Sequence, residues 1–427
     1  MTQRCSHCGF RSTDAEFFRR EKGGLLNRPQ TICDACTSYK PTPYERRMGL
    51  RVLMAPLAFI LGVSPLLSHD IGVFAFMLIM ALTSVPTLPL RILIHEAGHA
   101  FAARLVGQVV WQARIGSGPI RHRLKAGGVV FEIRAIPWTG GLVKFFGPAH
   151  PAGRASQAFI IAAGPAANLL TAIVALGLSN LCQGVGAIAA AFAGFGIFSL
   201  IVGLYNLIPR RFGDNETVSS DGRQLLNLLK PRPTPDPMVR QVRRVAGYSY
   251  MRQYAAALTA ALEDWQASRY RFLLAALILH NLSRDQGDRA ALGFFLMHEV
   301  ELRVGEDVNA GDKESLAWVW AYVAWSVLKL DDAAFAELAA RAAAAAIEAL
   351  PDKPEIQATY NAWLVSVGRA EEGLSRLVRA TREIDDTLDK AEFCDFLSRT
   401  LRQRGNPRRA ATYDALQIHL RARASCV

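Results

Sequence analysis

Two histidines and a glutamate lie inside an apolar segment of this 427-residue chain, at His95, Glu96 and His99. Residues four apart share one face of a helix, so both imidazoles could bind one tetrahedral Zn²⁺. Glu96 would then lie beside the open coordination position, where a carboxylate can accept a proton from water and return it to a leaving amine. Ionisable groups in a segment of membrane-spanning composition are costly unless they line a polar cavity, which favours a functional role over chance spacing.

A zinc ion that does hydrolytic chemistry needs a third protein ligand. Asp221, which is followed by Gly222, is the best candidate because Pro209 would end the preceding apolar helix and let the chain return to the metal. Asp214 is the rival ligand. Asp-Gly is also a common turn dipeptide, so the pair by itself does not decide between a ligand and a turn.

The composition indicates a membrane protein. Hydrophobic residues make up 51% of the chain and the mean hydropathy is positive. Four apolar runs are each long enough to cross a hydrocarbon core of about 30 Å, and they predict spans at about 50–67, 71–106, 155–180 and 185–208. Pro86 and Pro89 should kink the second span. The polar first forty residues show no cleavable signal peptide.

The net charge of +12 would suit a nucleic-acid partner, but the positions of the basic residues indicate membrane topology instead. Basic residues lie before the first span, between the second and third spans and after the fourth, whereas the other two connections contain none. The positive-inside rule then predicts four membrane-spanning helices with both termini in the cytoplasm. The compact core and the Arg/Ala-rich composition favour a bacterial inner membrane, and no nucleic-acid partner is expected. The basic residues are Arg46, Arg47, Arg51, Arg114, Arg121, Arg123, Lys125, Arg134, Lys144, Arg154, Arg210 and Arg211.

Two Cys-x-x-Cys pairs lie near the amino terminus, at Cys5 and Cys8 and at Cys33 and Cys36. This arrangement predicts a zinc-ribbon-like domain over residues 1–40, with a second, structural Zn²⁺ that leaves no open coordination position. Disulfides or a redox pair are the alternatives, and a cytoplasmic location argues against disulfides.

The remaining segments supply a small sheet and a helical region. The β-rich stretches Gln108–Ile115 and Val129–Ile136, with turn signals at 116–119 and 126–128, predict a membrane-surface β-hairpin over 108–147. A proline-rich linker at 230–237 leads into a cytoplasmic helical domain over 238–427. Turn signals recur there at 287–290, 330–333, 368–371 and 405–408, as in tetratricopeptide-like helix pairs, although an irregular bundle is the alternative. The fold class is therefore mainly α, a polytopic membrane protein.

Several ordered motifs resemble the site-2 protease family of intramembrane zinc metalloproteases, over about residues 71–229. The segment from His95 to Gly107 resembles the active-site helix of that family, and the segments 115–119 and 136–144 resemble its membrane-associated hairpin. Ala163–Asn168 resembles the motif of its third helix, and Asn206–Pro209 with Asp221 resembles its last core motif.

The resemblance implies that His95, His99 and Asp221 bind Zn²⁺, that Glu96 activates water, and that Asn168 and Asn206 lie near the site. The stretch between Asn206 and Asp221 is several residues longer than usual for the family, so Asp221 lies farther from Asn206 along the chain than the family pattern predicts. The loop near Cys182 is too short for the PDZ domain that some members carry. The core would span residues 48–229.

These features predict an endopeptidase that cleaves transmembrane segments of membrane-anchored proteins, as in regulated intramembrane proteolysis. Val129, Phe131 and Ile133 would offer a strand edge for the unwound substrate. The alternative function is an inactive membrane adaptor that displays the ribbon and the helical repeats to cytoplasmic protein partners. Intact metal-binding residues argue against the adaptor. The sequence does not identify the substrate.

Overall fold

The computed structural model describes most of the chain in two compact units. It describes residues 2–6, 8–23, 28–34, 36, 42–43, 45–47, 50, 54, 71–147, 153–212, 218–230, 237–263, 265–266, 268, 270–303, 310–384 and 386–425. One unit combines Met1–Lys22 and Pro29–Ser38 with Pro235–Val427, and the other combines Gly23–Arg28 with Tyr39–Thr234. The predicted first span and nearly all of the proline-rich linker lie outside the described residues.

The membrane core contains five described helices. They are α1 (Ile71–Ser84), α2 (Leu88–Leu105), α3 (Arg154–Leu181), α4 (Gly186–Leu207) and α5 (Asp221–Leu229). Helices α3 and α4 are each long and apolar enough to cross a membrane. The consecutive helices α1 and α2 form a third candidate span with a bend of 56°.

The bend between α1 and α2 follows from the two prolines predicted to kink this span. Pro86 and Pro89 remove backbone N–H donors at the break, which leaves carbonyls without helical partners. Arg91 replaces one of those donors, since its Nη1 donates to the Ser84 carbonyl at 2.8 Å. Its guanidinium also lies 5.1 Å and 5.5 Å from the ring centroids of Phe195 and Phe198, so the buried charge packs against aromatic faces.

A β-sheet with two long strands, β5 (Val109–Ala126) and β6 (Val129–Phe146), follows α2. The predicted turn at 127–128 is present, with both glycines at positive φ. The predicted turn at 116–119 does not end a strand. Instead it is a bend inside β5, where Gly116 and Gly118 both have φ 81° and the register with β6 shifts. Both strands fold back on themselves, so the hairpin has four paired segments.

The pairing corrects one prediction from the sequence. Phe131 pairs with both Ala113 and Leu124, and Ile133 pairs with both Ile115 and His122. Val129 pairs with Ala126 at the turn and is buried. Phe131 and Ile133 therefore lie in the interior of the sheet and do not offer a strand edge, whereas Val129 has one partner, at the turn. Two segments are outer ones among the described residues: 141–146 pairs only with 109–115, and 120–126 pairs only with 129–134.

The unit that combines the amino-terminal segment with Pro235–Val427 contains ten α-helices among its described residues. Each of the four turn signals lies between two consecutive helices, in the helix pairs α8/α9, α10/α11, α12/α13 and α14/α15. Each signal contains a residue in the left-handed region, namely Gly287, Asp331, Gly368 and Gly405. The helices are α6 (Pro237–Tyr250), α7 (Tyr254–Leu262), α8 (Arg271–Asp285), α9 (Asp288–Arg303), α10 (Ala310–Leu330), α11 (Ala336–Ala349), α12 (Pro354–Ser366), α13 (Ala370–Glu383), α14 (Thr387–Gln403) and α15 (Pro407–Ser425).

The amino-terminal segment packs on the last of these helices. It contains the short strands β1 (Gln3–Arg4), β2 (Arg11–Ser12), β3 (Phe18–Gly23) and β4 (Arg28–Cys33), and a 3₁₀ helix at Ala15–Phe17. Phe10 and Phe17 share one hydrophobic core with residues of α12 to α15. The Phe17 ring meets the Tyr413 ring edge to face, with centroids 5.0 Å apart. The ribbon and the carboxy-terminal helices are therefore one folded unit.

A glycine-to-alanine substitution should have opposite effects on stability at Gly368, in the turn between α12 and α13, and at Gly293, within α9. Gly368 has φ 86°, so Gly368→Ala should lower the free energy of unfolding of this unit by about 1 kcal/mol. Gly293 is exposed within α9 with open space around it, so Gly293→Ala should raise that free energy by about 0.5–1 kcal/mol. Urea unfolding in detergent, followed by tryptophan fluorescence, measures both. Equal shifts of the same sign would contradict the assigned turn.

Candidate metal centres

Helix α2 presents His95 and His99 side by side. Their Nε2 atoms lie 3.1 Å apart and their rings are nearly perpendicular, with an interplanar angle of 89°. Gly98 lies between them on the helix and faces α3, where an added Cβ would overlap the Ala163 carbonyl and approach Ala167 to 2.9 Å. The missing side chain therefore allows α2 and α3 to approach closely enough for α3 to contact both imidazoles.

Asp221 reaches the histidines because the chain reverses after α4. Ser220 caps the new helix α5 by accepting from the Arg223 N–H at 3.2 Å, and its hydroxyl donates to the Ile208 carbonyl at 2.7 Å. Gly222 abuts the Leu207 carbonyl so closely that no Cβ would fit there. Among the extra residues after Asn206, the short strand β7 (Arg211–Phe212) pairs antiparallel with β8 (Val218–Ser219).

The three candidate ligands are arranged as a tetrahedral metal requires. The Asp221 carboxylate lies 2.9 Å from His95 Nε2 and 3.6 Å from His99 Nε2. Ligand atoms about 2.0–2.1 Å from Zn²⁺ in a tetrahedral site are about 3.3 Å from one another, so these separations fit zinc. Three mutually close ligand atoms on two helices, with His95 and Asp221 buried and His99 partly buried, are therefore arranged as a three-ligand metal site would be.

The outer nitrogens of both imidazoles have partners that orient the rings. His99 Nδ1 lies 2.7 Å from the Ile160 carbonyl, so it must carry a proton, which leaves Nε2 free to bind metal. The side-chain amide of Asn168 lies 3.2 Å from His95 Nδ1, and the amide oxygen has no partner although the residue is fully buried. The amide nitrogen faces Nδ1 in the structure, and exchanging the amide nitrogen and oxygen would let the oxygen accept a proton from Nδ1 and leave His95 Nε2 free for metal.

Two glycines leave space for the reacting groups. A Cβ on Gly164 would overlap His99 and approach His95 Nε2 to 2.9 Å, so this position on α3 must lack a side chain. A Cβ on Gly141 would overlap the Glu96 carboxylate, so the outer segment 141–146 of the sheet passes directly over the proposed base. Glu96 is itself 7% exposed.

The structure brings together most of the residues predicted from the sequence. His95, Glu96, His99, Asn168 and Asp221 meet in one buried site. Asn206 is half-buried near the end of α4 and has no recorded contact with these residues among those described, and Asp214 lies outside the described residues. Gly141 and Gly164 were not singled out from the sequence. Their only signal was their position within motifs chosen for neighbouring residues.

The second candidate metal centre is formed by Cys5, Cys8, Cys33 and Cys36, which are all buried and have no disulfide bond. The Cys8 and Cys33 sulfurs are 3.7 Å apart, close to the separation expected for thiolates about 2.3 Å from a tetrahedral zinc. The Cys33 N–H donates to the Cys5 sulfur at 3.3 Å, as backbone amides commonly do around ribbon sites. The four sulfurs would leave no position for substrate.

The carboxy-terminal helices directly contact the turns that carry the four cysteines. Asp34, beside Cys33, accepts from Arg382 Nη2 at 2.5 Å, from Arg409 Nη2 at 2.5 Å and from the Tyr413 hydroxyl at 2.9 Å. Burial alone would raise the pKa of Asp34, but the hydrogen bonds and charges of Arg409 and Arg382 outweigh burial and lower that pKa. At the opposite turn, Arg423 donates to the Cys8 carbonyl at 2.6 Å.

The space left by Gly164 can be tested by metal content. The chain should bind two zinc ions, and Gly164→Ala should bind only one, because the added methyl group fills the space between the imidazoles. Gly177→Ala is the matched control, since it makes the same change in the same helix where nothing lies nearby. Mass-spectrometric zinc analysis of the purified proteins counts the ions. A full complement in Gly164→Ala would argue against this geometry.

Comparison with known proteins shows what the part of the chain around this site resembles. Residues 83–195 match the model of Peptidase family M50. A protein of Chlamydia trachomatis named "Putative zinc metalloprotease" is 40% identical over 108 residues, which cover 20% of this chain and 17% of that protein. A Pasteurella multocida protein with the same descriptive name is 41% identical over 96 residues, or 19% of this chain and 22% of that protein.

The chain spans about a fifth of the length of these curated relatives. No solved structure matches it. The matched segment holds His95, Glu96, His99, Asn168, Gly141 and Gly164, which are the residues that build the buried site apart from Asp221. Residues 83–195, which hold these residues, are therefore similar to Peptidase family M50.

Proposed function

We propose that this chain is an intramembrane zinc metalloendopeptidase. One observation carries the proposal: two imidazoles on the bent candidate span α1/α2 converge with the carboxylate that begins the short helix α5, with Glu96 beside them. The names of the relatives, which describe zinc metalloproteases, support the same activity. Buried ligands with an open position and an adjacent carboxylate suit hydrolysis of a peptide bond.

The residues divide the chemical work between them. His95, His99 and Asp221 would hold Zn²⁺, which when bound polarises a carbonyl and makes water more acidic. Glu96 would accept the proton of the attacking water and deliver it to the leaving amine nitrogen. Asn168 and the Ile160 carbonyl would keep both imidazoles oriented with Nε2 toward the metal.

The segment 141–146 is the better candidate for holding the substrate. A transmembrane helix must unwind before its scissile carbonyl is accessible, and an extended segment can then add to a free strand edge. Of the two outer segments of the sheet, 141–146 contains Gly141, which abuts Glu96, and this contact favours it over 120–126. Backbone pairing there would place the scissile carbonyl beside the base without requiring a particular side-chain sequence. Phe131 and Ile133 are not retained in this role.

The physiological reaction would be cleavage of a membrane-anchored protein within the lipid bilayer, releasing a fragment as in regulated intramembrane proteolysis. The distribution of arginine and lysine supports a multi-pass location in a bacterial inner membrane with both termini in the cytoplasm. The unit built from the ribbon and the repeats would then face the cytoplasm, where protein partners are expected.

Loss of Glu96 tests the enzymatic activity. Glu96→Gln keeps the size of the side chain but cannot accept a proton, so cleavage should fall by at least about 100-fold. Full-length substrates should accumulate in the membrane proteome of cells that carry the variant. Zinc content should stay at two ions per chain, which separates loss of the base from loss of the site.

An adaptor is the competing function, and the same comparison distinguishes it. If the ribbon and repeats act only by binding partners, Glu96→Gln cells should show the wild-type proteome and phenotype. Deleting the chain would then change the phenotype although the point variant does not. This result would rule out the peptidase.

Cross-linking tests the proposed strand edge. A photo-reactive residue in place of Leu142, in the Glu96→Gln chain, should cross-link to the accumulating precursors because Leu142 lies in the outer segment 141–146 of the sheet. The same residue in place of Phe131 should give little cross-linking, since Phe131 is paired on both sides. Stronger cross-linking from position 131 would reverse the assignment of the edge.

A further inference from the structure

The carboxy-terminal helices contain a positively charged cleft, and none of the residues that line it has a role in the proposed peptidase reaction. Its volume is about 400 Å³, within the range of ligand sites. It lies among α13, α14 and α15, and three arginines line it without any acidic residue. The lining residues are Leu374, Ser375, Val378, Arg379, Arg382, Leu401, Arg409 and Tyr413.

The cleft has unsatisfied positive charge. Arg382 and Arg409 share one carboxylate, that of Asp34, with Nη2 of each arginine bound to it. Their side chains are still 27% and 45% exposed, so further donors of both guanidinium groups can reach a ligand. Arg379 is exposed and has no hydrogen bond or ion pair among the described residues. Three positive charges therefore face one negative charge.

The bound Asp34 shows which chemistry these arginines recognise in this protein. They hold both carboxylate oxygens of Asp34, and Arg382 Nε also binds the Asp34 backbone carbonyl at 2.7 Å. The recognised object is thus an acidic residue within a polypeptide turn, bound through its side chain and main chain together. Beside it, Leu374, Val378 and Leu401 supply an apolar surface for a neighbouring side chain.

We propose that this cleft binds an acidic peptide segment of a partner protein, in which carboxylates alternate with apolar residues. One carboxylate pairs with Arg379 and with the free donors of Arg382 or Arg409, and the adjacent apolar side chain lies on Leu374 and Val378. Charge-assisted hydrogen bonds supply the affinity and the apolar lining supplies the selectivity. The proposal does not depend on peptidase activity, because every residue belongs to the unit that contains the ribbon and the repeats.

Fluorescence anisotropy with labelled peptides tests the cleft. The receptor is the full-length Glu96→Gln chain in phosphatidylcholine nanodiscs, which excludes cleavage of the probe and competition by anionic lipid. A decapeptide that alternates Leu and Glu should bind, whereas decapeptides that alternate Leu with Gln, or Ser with Glu, should bind at least about tenfold more weakly.

Two variants of α13 provide the matched comparison. Arg379→Gln should weaken binding of the Leu/Glu peptide by about tenfold. Arg376→Gln, one turn earlier, should leave binding within about twofold, because Arg376 is 60% exposed and pairs with Glu372 outside the cleft. Equal losses in both variants would reveal non-specific attraction to a basic helix. That result would overturn the proposal. So would failure of the Leu/Glu peptide to bind the Glu96→Gln receptor that carries neither arginine substitution.

Discussion

The candidate active site depends on close approach of helix backbones around three ligand atoms. An imidazole pair on α2 can share a metal with Asp221 only if α3 and α5 come nearer than ordinary side chains allow. Gly98 and Gly164 remove the obstacles between α2 and α3, and Gly222 removes the obstacle at the end of α4. Within lipid, where apolar side chains gain little from leaving the solvent, such close packing is the main attraction between helices. The same glycines therefore stabilise the bundle and leave room for the metal.

A second constraint is that buried polar and charged side chains need hydrogen-bond or aromatic partners inside an apolar helix bundle. Arg91 is buried without a carboxylate partner among the described residues, yet it has a carbonyl at the helix break and two aromatic rings. It is one turn before His95 on the same helix, so the bend and the metal-binding face are fixed relative to each other. Asn168 and the Ile160 carbonyl do the same for the imidazoles. Each of these side chains thus has at least one specific partner, as a low-dielectric interior favours.

The sequence predicted the elements and the reactive side chains, because their signals are local. Apolar runs, the spacing of His95 and His99, the cysteine pairs and the recurring turn signals each depend on a few neighbouring residues. The sheet was predicted less well: the strands fold back on themselves, and the edges lie at 120–126 and 141–146 rather than at Phe131 and Ile133. Which strand is outermost depends on long-range pairing that alternation along one strand cannot reveal. The roles of Gly141 and Gly164 likewise depend on what another helix or strand places opposite them.

The union of the ribbon with α13 to α15 joins residues that are far apart in the chain, since Asp34 and Arg409 are separated by 375 positions. During synthesis the ribbon emerges before helices α1 to α5, but Arg382, Arg409 and Tyr413 emerge only after those helices. The aromatic side chains Phe10 and Phe17 must remain uncovered through that interval, or be protected by another protein. Completion of this unit is consequently a late step in biogenesis, and a truncated chain would present an exposed apolar surface to quality-control proteases.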